Sequence, residues 1–323
     1  MREPLPAYLP ASNAGSTEEL ASAAATGSEP FAGSPSRPSS GDAGTSGRRE
    51  RTRVRPVAHA PSAWLLDATY TTHTFSLHSH DEIEIGVNES GTARFSIGGR
   101  VRRLEPGHLL LAGPHEAHSG QRVGHRPWEY RAVLLHPGFL RPLDQAAGLP
   151  APAVRFRSPL AHDPALATAV LDLHRLVATG GTAREEIGRL TRLLTEVIGR
   201  HALPEKGATS TEGHPAAEQV RSHLEAHFRE HVSLDSLSEL TELSRYHLLR
   251  VFKRATGLPP NAYQQCLRIR AAQRMLRSGS PIARVALEVG FASVSHFTRQ
   301  FKKIVGAPPG VWTRGVRQPF PSY

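Results

Sequence analysis

The segment HLLRVFKRATGLPP at 247–260 returns forty-nine residues later as HFTRQFKKIVGAPP at 296–309, identical at seven of fourteen positions: His, Arg, Phe, Lys, Gly and both prolines. A fragment that recurs in register marks a structural unit built twice. In each copy a serine, Ser244 or Ser293, precedes twelve residues of helical pattern that stop at a glycine followed within two residues by a pair of prolines. This predicts a capped helix with a left-handed stop. A shorter stretch lies just upstream, LDSLSELTEL in one copy and IARVALEVG in the other. Leu234 and Leu237 match Ile282 and Val285, and Glu242 and Leu243 match Gly290 and Phe291 at the turn. On the longer helices Leu248 and Phe252, like Phe297 and Phe301, are four apart and face inward. The opposite faces carry Arg245, Tyr246, Leu249, Arg250 and Lys253, and then Val294, Ser295, Thr298, Arg299 and Lys302. Each copy therefore reads as a helix-turn-helix, at about 234–255 and 282–304.

Charge follows the same division. Residues 216–317 hold sixteen Lys/Arg against seven Asp/Glu, whereas 58–215 hold sixteen of each and 1–57 seven against six. A basic block confined to a helical region is the footprint of a polyanionic partner, most often nucleic acid. There is no stretch of about 18 apolar residues, and MREPLPAYLPASNAG opens without an apolar run, so a cytoplasmic protein without a membrane partner is expected. The lone Cys266 excludes an internal disulfide and is expected as a small buried residue on a helix.

Residues 1–57 are rich in Ser, Gly, Ala, Pro and Thr and are expected to form a disordered tail, the basic RRERTRVR at 48–55 included. From 58 to 140 the runs TFSLHSH, EIEIGV, ARFSIGG, HLLLAGP and YRAVLL alternate with turn signals, the pattern of an antiparallel β-sandwich or small barrel. Between 141 and 202 the period becomes helical. Leu166, Val170, Leu173 and Val177, then Ile187, Leu190, Leu194 and Val197, mark two amphipathic helices that could pack on the sandwich or on a second copy of the chain. Residues 203–215 read as a linker. The fold class is multidomain α+β: a β-sandwich or barrel, a helical connector, and an all-α domain from 216 to 317.

The last hundred residues, through ALEVGFASVSHFTRQFKKIVGAPPGVWTR, resemble the AraC/XylS family of transcriptional regulators. The resemblance implies that one chain carries two readers of double-stranded DNA, joined by a helix from Asn261 to Arg277 that is roughly 25 Å long. They would sit about one DNA turn apart, roughly 34 Å. It implies base contact by Arg250 and Arg299, and contact with base edges, sugar or phosphate by Arg245, Tyr246, Ser295 and Thr298, with Leu249 and Val294 on the same faces. Lys253 and Lys302 would meet phosphate. It further implies an activator responding to a small-molecule effector, acting as a homodimer, with RNA polymerase as another partner. Glu242 departs from the pattern, since the second copy has Gly290 there, and is expected to loosen the first turn.

Nine of the eighteen histidines fall between 58 and 136. His78-x-His80-x3-Glu84-x6-Gly91 resembles the first cupin motif, and EPGHLLLAGPHEAH the second, with His118 in its histidine position. In cupin enzymes four such side chains hold a divalent metal, so a metal-dependent cupin enzyme fused to a DNA-binding module is one reading. The preferred reading is a sensor pocket without metal, cofactor or catalysis. His78, His80, Glu84 and His118 would rim it, with Tyr130 and Arg131 of RPWEYRAVLLHP, and a small polar or carboxylated effector would suit them.

Overall fold

A computed structural model describes residues 49–58, 60–139, 154–203 and 214–316. The expected tail up to residue 48, the connector's beginning at 141–153 and most of the linker lie outside these residues.

The β-domain runs β1 (Arg51–Val57), β2 (Ala60–Tyr70), β3 (Thr74–His78), β4 (Ile83–Ser90), β5 (Thr92–Ile97), β6 (Arg100–Leu104), β7 (Leu109–Ala112), β8 (His118–Val123), β9 (Trp128–Leu135) and β10 (Leu160–Ala161). These form two sheets, ordered β1-β2-β9-β4-β7-β10 and β3-β8-β5-β6, in which every pairing is antiparallel. The expected sandwich is present, but the tail reading fails for residues 51–57. They pair along β2 with Val54 and Val57 buried, while Arg51 and Arg55 reach Asp67 at 3.9 and 3.8 Å. Arginines on the solvent side hide the alternation of an edge strand, and charge on an edge also discourages pairing with other chains.

Two helices follow, α1 (Pro164–Thr179) and α2 (Ala183–His201). Asp163 caps the first by accepting from the Leu166 amide, and Thr182 with Glu185 forms a capping box on the second. Their apolar stripes (Leu166, Val170, Leu173; Leu190, Leu194, Val197) share a core with Leu65, Ile85 and Val133 of the six-stranded sheet. Of the two partners that the helical period allowed, the sheet has taken the stripe. The outer face of α2 is left to Arg184, Arg189, Arg192 and Arg200.

The helical domain comprises α3 (Pro215–His227), α4 (Leu234–Thr241), α5 (Arg245–Thr256), α6 (Pro260–Arg277), α7 (Ile282–Glu288), α8 (Val294–Val305) and α9 (Pro309–Val316). Ser233, Ser244 and Ser293 cap α4, α5 and α8, and α5 and α8 stop at left-handed Gly257 and Gly306. The first motif closes around its own small core of Val220, Leu224, Leu237, Leu248 and Phe252. The second shares a core with the β-domain: Ile269, Val285, Phe297, Phe301 and Trp312 join Trp64, Tyr70, Phe95 and Trp128. Trp312 meets Trp64 edge to face at 6.2 Å, and the Arg277 guanidinium lies 4.7 and 5.3 Å from the Trp64 and Trp312 ring centres.

The two turns close alike, contrary to the expectation for Glu242. Glu242 and Gly290 both take left-handed backbone, with φ of 56° and 88°. A Cβ at Gly290 would lie 2.1 Å from the Arg229 carbonyl oxygen, whereas Glu242 is exposed. Only the second turn needs glycine for room. The first accepts instead the cost of a left-handed non-glycine residue, roughly 1–2 kcal/mol.

Candidate functional site

Four ligating side chains converge inside the β-domain. His78 ends β3 and faces His118 at the start of β8 across the ladder, His80 lies in the β3–β4 connection, and Glu84 is on β4. All four are buried. The Nδ1 atoms of His78, His80 and His118 lie 2.7, 3.0 and 2.8 Å from the carbonyl oxygens of Ser76, Glu82 and Glu116. A carbonyl only accepts, so each Nδ1 donates and Nε2 is left as the nitrogen that can carry a free lone pair. The Nε2 atoms of His80 and His118 stand 3.3 and 3.6 Å from Glu84 Oε2, and the Tyr130 hydroxyl donates to Glu84 Oε1 at 2.7 Å. Gly86 makes this last bond possible, because a Cβ there would fall 1.8 Å from the tyrosine oxygen. Burial, then the neighbouring His118 and His80, holds His78 well below the usual imidazole range, and burial with His80 pushes His118 to about 4. Burial also opposes charge on His80, but its bond to Glu84 and the Glu82 and Glu84 carboxylates hold it above its ordinary value. Glu84 is held below its own by His80 against the same burial. His80 and Glu84 thus favour each other's charged forms, while burial and mutual repulsion favour neutral His78 and His118.

The cavity over this cluster has a volume of about 30 Å³, enough for one or two waters. Its roof is the helical domain, since Gln273 of α6 and Ile304 and Val305 from the last turn of α8 line it along with Trp64, Phe75 and Phe95. The Tyr70 hydroxyl donates to the Gly306 carbonyl at 3.1 Å, and a Cβ on Gly306 would stand 2.5 Å from that hydroxyl. The Lys302 ammonium pairs with Glu50, whose carboxyl also accepts from the Thr72 amide and hydroxyl. Although burial opposes it, these partners hold Glu50 at about 2. The ligand-bearing turn itself is fastened to α6. The Ser79 amide donates to Cys266 Sγ at 3.4 Å, Arg270 reaches Ser79 Oγ at 3.1 Å and Asp81 at 3.0 Å, and Arg277 lies 3.8 Å from Glu82. Further along α6, Arg268 donates to the Phe228 and Glu230 carbonyls at 2.7 and 2.8 Å, tying the linker helix to the segment that follows α3.

Two family models match the chain: the AraC-like ligand binding domain over 61–203 and a helix-turn-helix domain over 237–315. The HTH-type transcriptional regulator YbfI of Bacillus subtilis is 30% identical over 228 residues, which cover 69% of this chain and 81% of YbfI. The chain belongs to the AraC family of transcriptional regulators. The HTH-type transcriptional activator RhaS of Citrobacter koseri is 26% identical over 272 residues, 81% of this chain and 94% of RhaS. A crystal structure of ToxT from Vibrio cholerae aligns with a TM-score of 0.45 at 12% identity, covering 83% of this chain and 98% of ToxT.

In this AraC-family regulator the residues expected to meet DNA lie on the outer faces of α5 and α8. On α5, Arg245, Tyr246, Arg250 and Lys253 are exposed and Leu249 half-buried; on α8, Val294, Ser295 and Arg299 are exposed and Thr298 half-buried. Tyr246 is 76% exposed. Arg245 pairs with Asp235, while among the described residues Arg250 and Arg299 form no ion pair. Lys302 is the exception, engaged with Glu50 on the sensor side. Of the expected pocket residues, His78, His80, Glu84, His118 and Tyr130 line the cavity and Arg131 does not. Adjacent strand residues point to opposite faces, so placing Tyr130 inside sends Arg131 outside, where it meets Asp67 at 3.2 Å and Glu89 at 3.0 Å. The roof residues Gln273, Ile304 and Val305 and the Arg270 tie carry no local motif. A hint lay in Glu82, an acid that the structure buries within the HSHDEIE segment.

Proposed function

We propose that this regulator activates transcription in the cytoplasm by laying α5 and α8 into successive major grooves of promoter DNA, under control of a ligand held at the histidine cluster. The observation that carries the reading is the roof: the end of α8 is at once part of the second reader and part of the wall of the sensor cavity. A ligand that favours one position of that wall over another must shift the affinity for DNA by the same differential free energy. Lys302 gives the coupling a concrete form, because an ammonium paired with Glu50 is not available to a phosphate. Arg250 and Arg299 supply the base contacts, and Arg245, Tyr246, Leu249, Lys253, Val294, Ser295 and Thr298 surround them. The name of RhaS supports activation. Pairing of two copies and contact with RNA polymerase belong to the same reading, and with the stripes of α1 and α2 buried, their charged outer faces are the surface left for a partner.

The test is selection of bound duplexes from a random-sequence pool, followed by competition of the selected operator against random DNA at fixed salt. A preference of about 10³-fold or more is expected. Equal binding of both would leave only a basic, non-specific protein.

A further inference from the structure

We propose that the polar trough on the outer face of the six-stranded sheet, beside α1, is a second small-molecule site, and that it takes a phosphate ester rich in hydroxyl groups. It lies back to back with the histidine cluster across β9, because Tyr130 points to the cluster and Arg131 to the trough. The site does not rest on the DNA-reading function proposed above.

Strand register builds the trough. Where α1 and α2 cover this face it is apolar, as at Leu65, Ile85 and Val133. One row further along, Arg53, Asp67 and Arg131 stand side by side on β1, β2 and β9, and Arg51, Thr69 and Glu129 form the row after that. An opening of about 300 Å³ lies there, walled by His174 and Arg175 of α1. It adjoins a larger one of about 670 Å³, and Glu89 and Arg131 line both.

Cations outnumber anions in the smaller opening. Asp67 lies within reach of three guanidiniums, Arg131 at 3.2 Å, Arg55 at 3.8 Å and Arg51 at 3.9 Å. Of these three, Arg131 has a second acid, Glu89 at 3.0 Å, and among the described residues Arg53 forms no ion pair. The side chains of Asp67 and Arg131 are 12% and 19% exposed, so water and salt screen the excess poorly. His174 registers that excess, since the Arg131 charge adds to burial in holding it at about 4. Guanidiniums come from β1, from β9 and from the flank of α1. Such directions suit the tetrahedral oxygens of a phosphate better than the flat pair of a carboxylate.

The preference for hydroxyl groups comes from acceptors that lack donors. Asp67 Oδ1 is buried and accepts no hydrogen bond, although Arg131 is near. His174 donates through Nε2 to the Ala132 carbonyl, which leaves its Nδ1 to accept. Thr69 is 6% exposed, and its hydroxyl makes no hydrogen bond among the described residues. The same acids disfavour nucleic acid as the occupant, because a continuous polyanion laid along the trough would face Asp67, Glu89 and Glu129.

The full chain, in a buffer free of phosphate, would be titrated by calorimetry with glucose 6-phosphate, ribose 5-phosphate, inorganic phosphate and glucose. One equivalent per chain of at least one sugar phosphate is expected, bound about tenfold more tightly than inorganic phosphate, with no saturable binding of glucose. Absence of saturable binding of either ester to wild type would overturn the site. Inorganic phosphate bound as tightly as both esters would overturn the preference for hydroxyl groups. Arg53→Gln and Arg55→Gln should each weaken ester binding about tenfold. Arg94→Gln, at an exposed position on the other sheet, and His80→Gln should bind as wild type does, with circular dichroism confirming that all four variants fold. Undiminished binding in both Arg53→Gln and Arg55→Gln would overturn the assignment. So would loss of binding in His80→Gln, which would move the ester to the histidine cluster, or displacement of the ester by random duplex DNA, which would give the surface to nucleic acid.

Discussion

The two helix-turn-helix units share a sequence pattern, caps and turn geometry, yet they live in different surroundings. The first closes on a core of its own, and its α5 touches the rest of the chain mainly through helices of the same domain. The second has no private core. Phe297, Phe301 and Trp312 are continuous with Trp64, Tyr70 and Trp128 of the β-domain, and its last turn roofs the sensor cavity. Duplication of a helix-turn-helix unit has therefore not duplicated its packing environment. The first unit meets the β-domain only lightly, where Gly257 packs on Ala117, and the second is built into the β-domain's core.

The sharpest break would come from the cores. Phe252→Ala and Phe301→Ala should each cost about 3–5 kcal/mol of stability. In hydrogen exchange, the first should leave the amides of β3 and β8 as protected as in wild type, whereas the second should weaken them along with α8. Equal effects on the β-domain would erase the distinction.

Acid provides a second separation. His174 of α1 donates to the Ala132 carbonyl at 3.2 Å, and burial, then the Arg131 charge, pushes it down to about 4. The unfolded chain takes up that proton near 6.5, so stability is full above that pH and falls as pH drops from about 6.5 to 4, by up to about 3 kcal/mol. All three tryptophans, Trp64, Trp128 and Trp312, lie in the shared core, so their fluorescence during urea unfolding follows the β-domain and the second reader together. Acidification should weaken this signal before the first reader loosens, and His174→Gln should flatten the slope.

Arg250→Ala and Arg299→Ala should each weaken operator binding by about 1–3 kcal/mol, with little change on random DNA. Only the effect at Arg299 should depend on the state of the sensor. The smallest change is at the strap between domains. Glu50→Gln releases Lys302 and should strengthen operator binding by less than about 1 kcal/mol, whereas it should not alter the contribution of Lys253.

Much of the helical domain was legible because its signals are local: a serine, twelve residues, a glycine and two prolines define each reader without reference to anything distant. The cluster His78, His80, Glu84 and His118 was legible for a similar reason, since the strands that carry it have short loops between them. Three features were not. In β1 and β6 arginines mask the alternation that marks a strand. Arg131 was assigned with Tyr130 because neighbours in sequence were read as neighbours in space, which the pleat forbids. The roof was invisible because its contacts, such as Tyr70 with Gly306 and Glu50 with Lys302, join residues 236 and 252 positions apart. Nothing in either local stretch announces the other.

The continuous core has a practical corollary for anyone building chimaeric regulators. Cutting at the 203–215 segment and grafting a foreign output module would strip Trp64 and Tyr70 of their covering helices and expose the cluster to solvent. A workable exchange needs two junctions, before α3 and after α5, so that α6 through α9 stay with the β-domain, and the incoming unit must still fit Tyr263 and Leu267 of α6.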